Sequence, residues 1–303
     1  MQNKIAILGE CMIELSGDKA GYRQGFAGDT LNTAIYLSRL LGASAQVAYI
    51  TGVGKDDLSQ EMLAYWRTEN IDTSAVFTVP NKQPGLYMIK TDPNGERRFL
   101  YWRNDAAARY WLANLTVADV VKALSSYQYL YLSGISLAIL PVADREKLLA
   151  AIEQLSVKVI FDNNYRPALW ESIEATQAAY KKILSLAEMA FLTFEDDQAL
   201  YGFTDYEQSI KQALQLGVKE VVVKRGKEPC VVATTTERCE VAAVRVEKVV
   251  DTTAAGDSFS AGYLAKRLQG GTIAESAAAG HQVASTVIQY KGAIIPTTAM
   301  PSI

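Results

Sequence analysis

Short β-branched apolar runs alternating with amphipathic helical stretches predict an α/β fold with a mostly parallel sheet, helices on both faces and a small second sheet. The runs are IAIL (5 to 8), VAYI (47 to 50), YLYLSG (129 to 134), VKVIFD (157 to 162), MAFLTF (189 to 194) and EVVVKRG (220 to 226). Between them lie segments such as REKLLAAIEQL (145 to 155), whose Leu148, Ile152 and Leu155 share one helical face. Right-handed crossovers are expected to join the strands.

Residues 10 to 26 and 84 to 104 break this rhythm with extended patterns and turn signals. In TDPNGERRFLYW the residues Asp92, Pro93, Asn94 and Gly95 mark a hairpin between two strands. These insertions are expected to form a lid over the sheet's C-terminal edge, where ligands of open α/β folds bind; an ordinary edge hairpin is the alternative. No internal repeat or linker is seen, so residues 1–303 read as one domain.

The chain's 303 residues are 49% hydrophobic, enough for a sizeable core, and Lys+Arg 30 against Asp+Glu 33 leaves a net charge of −3. Charges are mixed along the sequence, so neither nucleic acid nor a membrane surface is an expected partner. Cys11, Cys230 and Cys239 are few and odd in number, and only one histidine is present. This argues against a disulfide framework or a zinc site. MQNKIAILGE lacks the parts of a signal peptide, and no apolar run approaches the ~20 residues that span a bilayer. A cytoplasmic location is expected.

The segment DTTAAGDSFSAGYLAKRL (251 to 268) carries the most chemistry. Small residues at Ala254, Ala255 and Gly256 let the backbone turn sharply into a helix, whose free N–H groups and positive dipole end make an anion hole. Asp257 at its mouth can take a proton from an attacking hydroxyl while the amides hold a transferring phosphoryl group. Read alone, Asp257 would be a helix cap. A second segment, FAGDTLNTAIYLSRLLG (26 to 42), puts Gly28 and Asp29 before a helix and Asn32 in its first turn, followed by Gly52, Gly54 and Asp56. A short acid and an amide suit the holding of hydroxyls, although a cap and a surface amide would look the same.

Together, Asp251, Thr252, Ala254, Ala255, Gly256, Asp257, Ala261 and Gly262 resemble the second signature of the ribokinase (pfkB) family of carbohydrate kinases, and the Gly28 segment resembles the first. The resemblance extends over nearly the whole chain and is closest to members that act on 2-keto-3-deoxygluconate. It implies a three-layer α/β/α core with a small β-sheet lid, ATP with Mg2+, and phosphorylation of a terminal hydroxyl. Asp257 is then the base, the 254 to 256 turn the anion hole, and Gly28, Asp29 and Asn32 the sugar contacts.

A sugar acid needs a cation for its carboxylate. LYMIK and FLYWRN supply Tyr87, Tyr101 and Arg103, and strand alternation puts the last two on one face. FDNNYRPALW ends a strand with Asn164, Tyr165 and Arg166, and an arginine fork suits phosphate or carboxylate. By the resemblance, Asn164 meets nucleotide and Arg166 bridges ATP phosphate and sugar acid. KRGKEP (224 to 229) resembles the family's ATP loop through Lys224 and Gly226. His281 falls where relatives keep an adenine-side Asn, with Ala284 and Ser285 one turn on.

The chain departs from the family at Thr193 and Asp196, which replace an Asn-x-x-Glu pair that helps to order magnesium water. The metal ligands therefore stay unassigned. The resemblance also allows a monovalent cation near Asp251 and Thr253. Three functions are carried forward: a sugar-acid kinase, a kinase of a neutral sugar such as fructose, and a non-catalytic sugar sensor. The open edge of the lid invites homo-oligomer formation.

Overall fold

The central strand β1 (Asn3–Leu8) is apolar on both faces, which only a sheet covered on both sides tolerates. The computed structural model describes residues 2–18, 21–91 and 97–303, and places this strand inside a nine-stranded sheet. In chain order the other strands are β2 (Met12–Asp18), β3 (Gly21–Ala27), β4 (Ala45–Ile50), β5 (Gly52–Val53), β6 (Ile71–Asp72), β7 (Phe77–Thr78), β8 (Gly85–Thr91) and β9 (Arg97–Trp102). They continue with β10 (Tyr129–Ser133), β11 (Lys158–Asp162), β12 (Ala187–Thr193), β13 (Glu220–Lys224), β14 (Cys230–Thr234) and β15 (Arg238–Val241). The large sheet runs β15-β14-β13-β12-β11-β10-β1-β4-β6. Every neighbouring pair from β13 to β6 is parallel, and β14 and β15 close the far edge antiparallel.

Alternation along β1 sorts the core. Ile5 and Ile7 pack with Leu31, Ile35, Trp66, Tyr263 and Val283, from helices Asp29–Leu41, Asp57–Thr68, Ala255–Leu268 and Ile273–Val287. Ala6 and Leu8 pack on the opposite face with Val120, Leu148, Ile183 and Ile210, from helices Val117–Leu124, Val142–Glu153, Ile173–Leu184 and Tyr206–Leu216. Leu148 and Ile152 face the core as expected. The helix ends at Glu153, so Leu155 meets the same cluster from the following turn.

The insertions form a separate four-stranded sheet in the order β3-β2-β8-β9. The hairpin at Asp92 to Gly95 lies outside the described residues. One face of this sheet carries Met12, Ala27, Tyr87 and Ile89, which pack with Ala293 and against Ala254 and Ile294. The chain passes from the C-terminal end of β1 through Gly9 to Cys11 into β2, so the small sheet stands at the large sheet's C-terminal edge.

Candidate active site

The helix Ala255–Leu268 begins at Ala254, a non-glycine residue with φ 62 and no side-chain cap. Left-handed backbone at a residue with a β-carbon is costly and concentrates at functional sites. In the first turn the Ala255 amide bonds to the Thr252 carbonyl at 3.2 Å and the Ser258 amide to the Ala254 carbonyl at 2.9 Å. Between them, Gly256 and Asp257 present amides with no acceptor inside the helix.

Asp257 lies in this first turn without capping it. Its Oδ2 accepts the Asn32 amide at 2.8 Å. Burial raises its proton affinity first, and the charge of Asp29 raises it further, against opposition from the Asn32 hydrogen bond and Lys224. Asp29 is the first residue of its own helix rather than the residue before it. It accepts from Asn164 Nδ2 at 2.7 Å, and Asn164 has φ 28. Gly28 is needed for close approach, because a β-carbon there would sit 2.2 Å from the Glu10 carbonyl oxygen.

Beneath the anion hole, Lys224 at the end of β13 donates to Asp162 Oδ2 at 2.8 Å. Ser260 and Tyr131 donate to the same oxygen at 3.0 and 3.1 Å. Asp162 Oδ1 is buried without a hydrogen-bond partner among the described residues. A β-carbon on Gly256 would lie 3.4 Å from Lys224 Nζ, so the ammonium sits directly under the turn.

From this point a cleft of about 810 Å³ runs outward. Lys224, Gly226, Ala255, Gly256, His281, Ala284 and Ser285 all line it, together with Val244 and Val249 from the loop before Asp251. His281 is fixed by a 3.0 Å hydrogen bond with the Val241 carbonyl and an edge contact to Phe259 at 5.0 Å. Burial lowers its pKa, so it is a neutral ring beside an apolar wall.

On the other side stand the residues of the small sheet. Tyr87 and Tyr101 are paired across β8 and β9 with ring centroids 5.9 Å apart. The guanidinium of Arg103 lies 5.9 Å from the Tyr101 ring. Tyr87 donates to Glu14, and Arg103 pairs with Glu10. Arg166 is half exposed, 3.6 Å from Asp196, and donates to its neighbour's carbonyl, that of Tyr165, at 2.8 Å. No hydrogen bond joins it to Asp257 or Arg103 among the described residues.

Sequence reading named residues on both sides of Asp257 but did not name Asp162, Glu10 or Glu14, which the structure pairs with them. A signal existed for two of them. Asp162 is an acid that ends the apolar run of β11, and Glu10 lies two residues past β1 at the edge where ligands bind.

A helix N-terminus with free amides, a buried carboxylate of raised proton affinity and an adjoining cleft stand together here. The chain matches the pfkB family of carbohydrate kinases over residues 2–300, and it belongs to that family. It is 53% identical to 2-dehydro-3-deoxygluconokinase of Escherichia coli over 309 residues, covering 100% of both chains. Among solved structures it resembles a PfkB protein from a Polaromonas species, with TM-score 0.82, 26% identity and 96% of each chain covered. It also resembles fructokinase of Vibrio cholerae in a form that holds fructose, ADP and a calcium ion, with TM-score 0.81, 25% identity, and 99% and 96% covered. The fold is ribokinase-like and the protein is a sugar kinase. Among the described residues no helix is long and apolar enough to cross a membrane.

Proposed function

We propose that the protein transfers the γ-phosphoryl group of ATP to the terminal hydroxyl of 2-keto-3-deoxygluconate, giving 2-keto-3-deoxy-6-phosphogluconate and ADP. The observation that carries this reading is the Asn32-held Asp257 in the first turn of a helix whose Ala255 and Gly256 line the 810 Å³ cleft, with Ala254 before it packing against the Tyr87 cluster of the small sheet. In this reading Asp257 takes the hydroxyl proton as the new P–O bond forms and the bond to the bridging oxygen of ADP breaks. The amides of Gly256 and Asp257, with the Lys224 ammonium below, hold the charge on the transferring group. Asp29, Asn32 and the Gly28 backbone receive sugar hydroxyls, while Tyr87, Tyr101 and Arg103 receive the acid end.

The adenine reading places the base in the apolar cleft beside His281, Ala284 and Ser285, with Asn164 and Arg166 toward the phosphates. Magnesium, when bound with nucleotide, neutralises phosphate charge. Among the described residues no group of three or more His, Cys, Asp or Glu could hold a metal ion directly. Asp196 suits water-bridged contact. Burial raises its pKa against the opposing charge of Arg166. Asp251 accepts from Thr253 and Gly292 amides at 2.9 and 2.7 Å, tying the signature turn to the 292 loop beside the proposed monovalent cation position.

A neutral ketose is the second reading, favoured by one observation: the Arg103 guanidinium is already paired with Glu10. ATP-dependent phosphorylation of 2-keto-3-deoxygluconate, fructose and ribose by the purified protein separates the two. Turnover of fructose above that of the sugar acid overturns the first.

The small sheet also offers an oligomer surface. Phe99, Leu100, Tyr101 and Trp102 are exposed in sequence along its edge strand β9. Pairing of two copies through this sheet is part of the proposal, and the mass in solution tests it.

A further inference from the structure

We infer that Glu10 is a positioning residue for sugar-acid selection, holding one edge of the Arg103 guanidinium so that the remaining donors face the substrate carboxylate. The inference rests on the reading of Arg103 given above. Glu10 and Arg103 are 1% and 9% exposed, and each comes from a different sheet's end. Glu10 follows β1 of the large sheet, whereas Arg103 follows β9 of the small one. Their ion pair therefore fixes the arginine relative to the core that carries Asp29 and Asp257.

The pair sits in a slot shaped for it. A β-carbon at Gly85 would lie 2.8 Å from Glu10 Oε1 and 3.1 Å from the Arg103 β-carbon. The Glu10 carbonyl abuts Gly28, so the same residue supports the turn that presents Asp29. Only Nη2 of Arg103 is engaged by Glu10, and Nε is buried without a hydrogen-bond partner. A guanidinium has five N–H groups in a rigid plane, so engaging one edge orients the others. An arginine without its counter-charge would instead swing toward water, because burying an unpaired cation is expensive. This also reconciles the ion pair with acid recognition: Glu10 uses one donor and leaves a fork's worth of others.

The test compares Glu10→Gln, which keeps an acceptor oxygen, with Glu10→Met, which keeps the length but not the acceptor. Gly85→Ala supplies a variant that displaces the pair without removing either charge. Glu10→Met and Gly85→Ala are expected to raise KM for 2-keto-3-deoxygluconate by about 10- to 100-fold, the cost of a misplaced binding group. Glu10→Gln keeps an acceptor but removes the counter-charge, so its KM for the sugar acid should also rise, by less than that of Glu10→Met. KM for ATP and kcat should move little in all three. In an Arg103→Ala background Glu10→Met should add nothing further, since the effect acts through the arginine. Wild-type KM in both Glu10→Met and Gly85→Ala, or additive losses in the double variant, would overturn the proposal while leaving the Arg103 reading intact. An Arg103→Ala enzyme with unchanged KM for the sugar acid would overturn both.

Discussion

Asn32 Nδ2 donates to Asp257 Oδ2 at 2.8 Å, joining residues 225 positions apart in the chain. The bond unites the two segments that carry the sequence signatures, and it does so with a neutral donor. A cation in that place would hold the carboxylate strongly ionised and make it a poor base, whereas the amide orients the oxygen with less effect on its basicity. Asn32→Ala removes a bond that lowers the Asp257 pKa. The acid limb of kcat against pH is therefore expected to move to higher pH in this variant. An unmoved limb, measured with ATP and sugar acid saturating, would show that another group titrates.

Asp257→Asn should retain nucleotide binding and lose catalysis. General base catalysis contributes ~10²–10⁴ in rate, so kcat should fall at least that far. The same substitution should stabilise the fold at neutral pH. Burial and Asp29 raise the folded-state pKa of Asp257 above its ordinary value. Between the unfolded value of about 3.9 and the raised one, the native state binds more protons, so stability falls as pH rises through that range. The asparagine has no proton to lose. Its Tm should exceed that of wild type at pH 8 and converge with it in acid. Equal Tm values at both pH values would count against a raised pKa.

Lys224→Met isolates the ion pair beneath the anion hole. Asp162 would be left buried with only Tyr131 and Ser260 as donors to Oδ2. Breaking a buried pair by removing one partner destabilises by about 3–5 kcal/mol, and chemical denaturation should read a loss of that order. Asp162→Asn in the same chain should recover part of it. No recovery would mean that the lysine acts through packing alone.

How much of this was legible differs by element. The six apolar runs became β1, β4, β10, β11, β12 and β13, because strands buried on both faces need continuous apolar sequence. The antiparallel strands β14 and β15 at one end of the sheet escaped. CVVAT follows EVVVKRG after only three residues, too few for the strand–helix alternation, and RCEV carries polar residues that read equally well as a turn. The signature turns announced Asp257 and Asn32 individually. Nothing local announced the Asp162–Lys224 and Glu10–Arg103 pairs, because each forms only when separate strands come together. Likewise, the face shared by Tyr101 and Arg103 was readable from alternation, but the burial of Arg103 depends on Glu10 and Gly85, which belong to other strands' ends.

The small sheet is expected to close over bound ligands, with Gly25, Gly28 and Gly85 near the ends of its strands. Closure would exclude water and limit wasteful hydrolysis of ATP. Amide exchange within Gly85–Thr91 and Arg97–Trp102 should slow when sugar acid and a non-hydrolysable nucleotide are added together. Unchanged exchange in these strands would argue for a rigid wall.

Arg166 differs from Arg103 in what its removal should cost. Its side chain is 52% exposed and lies 3.6 Å from Asp196, a loose pair near the surface. Such pairs contribute about 0–1 kcal/mol, so Arg166→Ala should leave Tm almost unchanged. Its neighbours Asn164 and Tyr165 donate to Asp29 and Asp196, and that surrounding suits a bridge from ATP phosphate to sugar acid. A lost charge-assisted hydrogen bond costs roughly 1.5–3 kcal/mol, about 10- to 150-fold at 1.36 kcal/mol per decade. KM for ATP and for the sugar acid should rise together, and fructose turnover should fall as well, because the phosphate contact serves any acceptor. Arg103→Ala should instead weaken the sugar acid selectively. Titrating both variants with ATP, 2-keto-3-deoxygluconate and fructose separates the roles. An Arg166→Ala enzyme impaired only toward the sugar acid would move the carboxylate contact from Arg103 to Arg166.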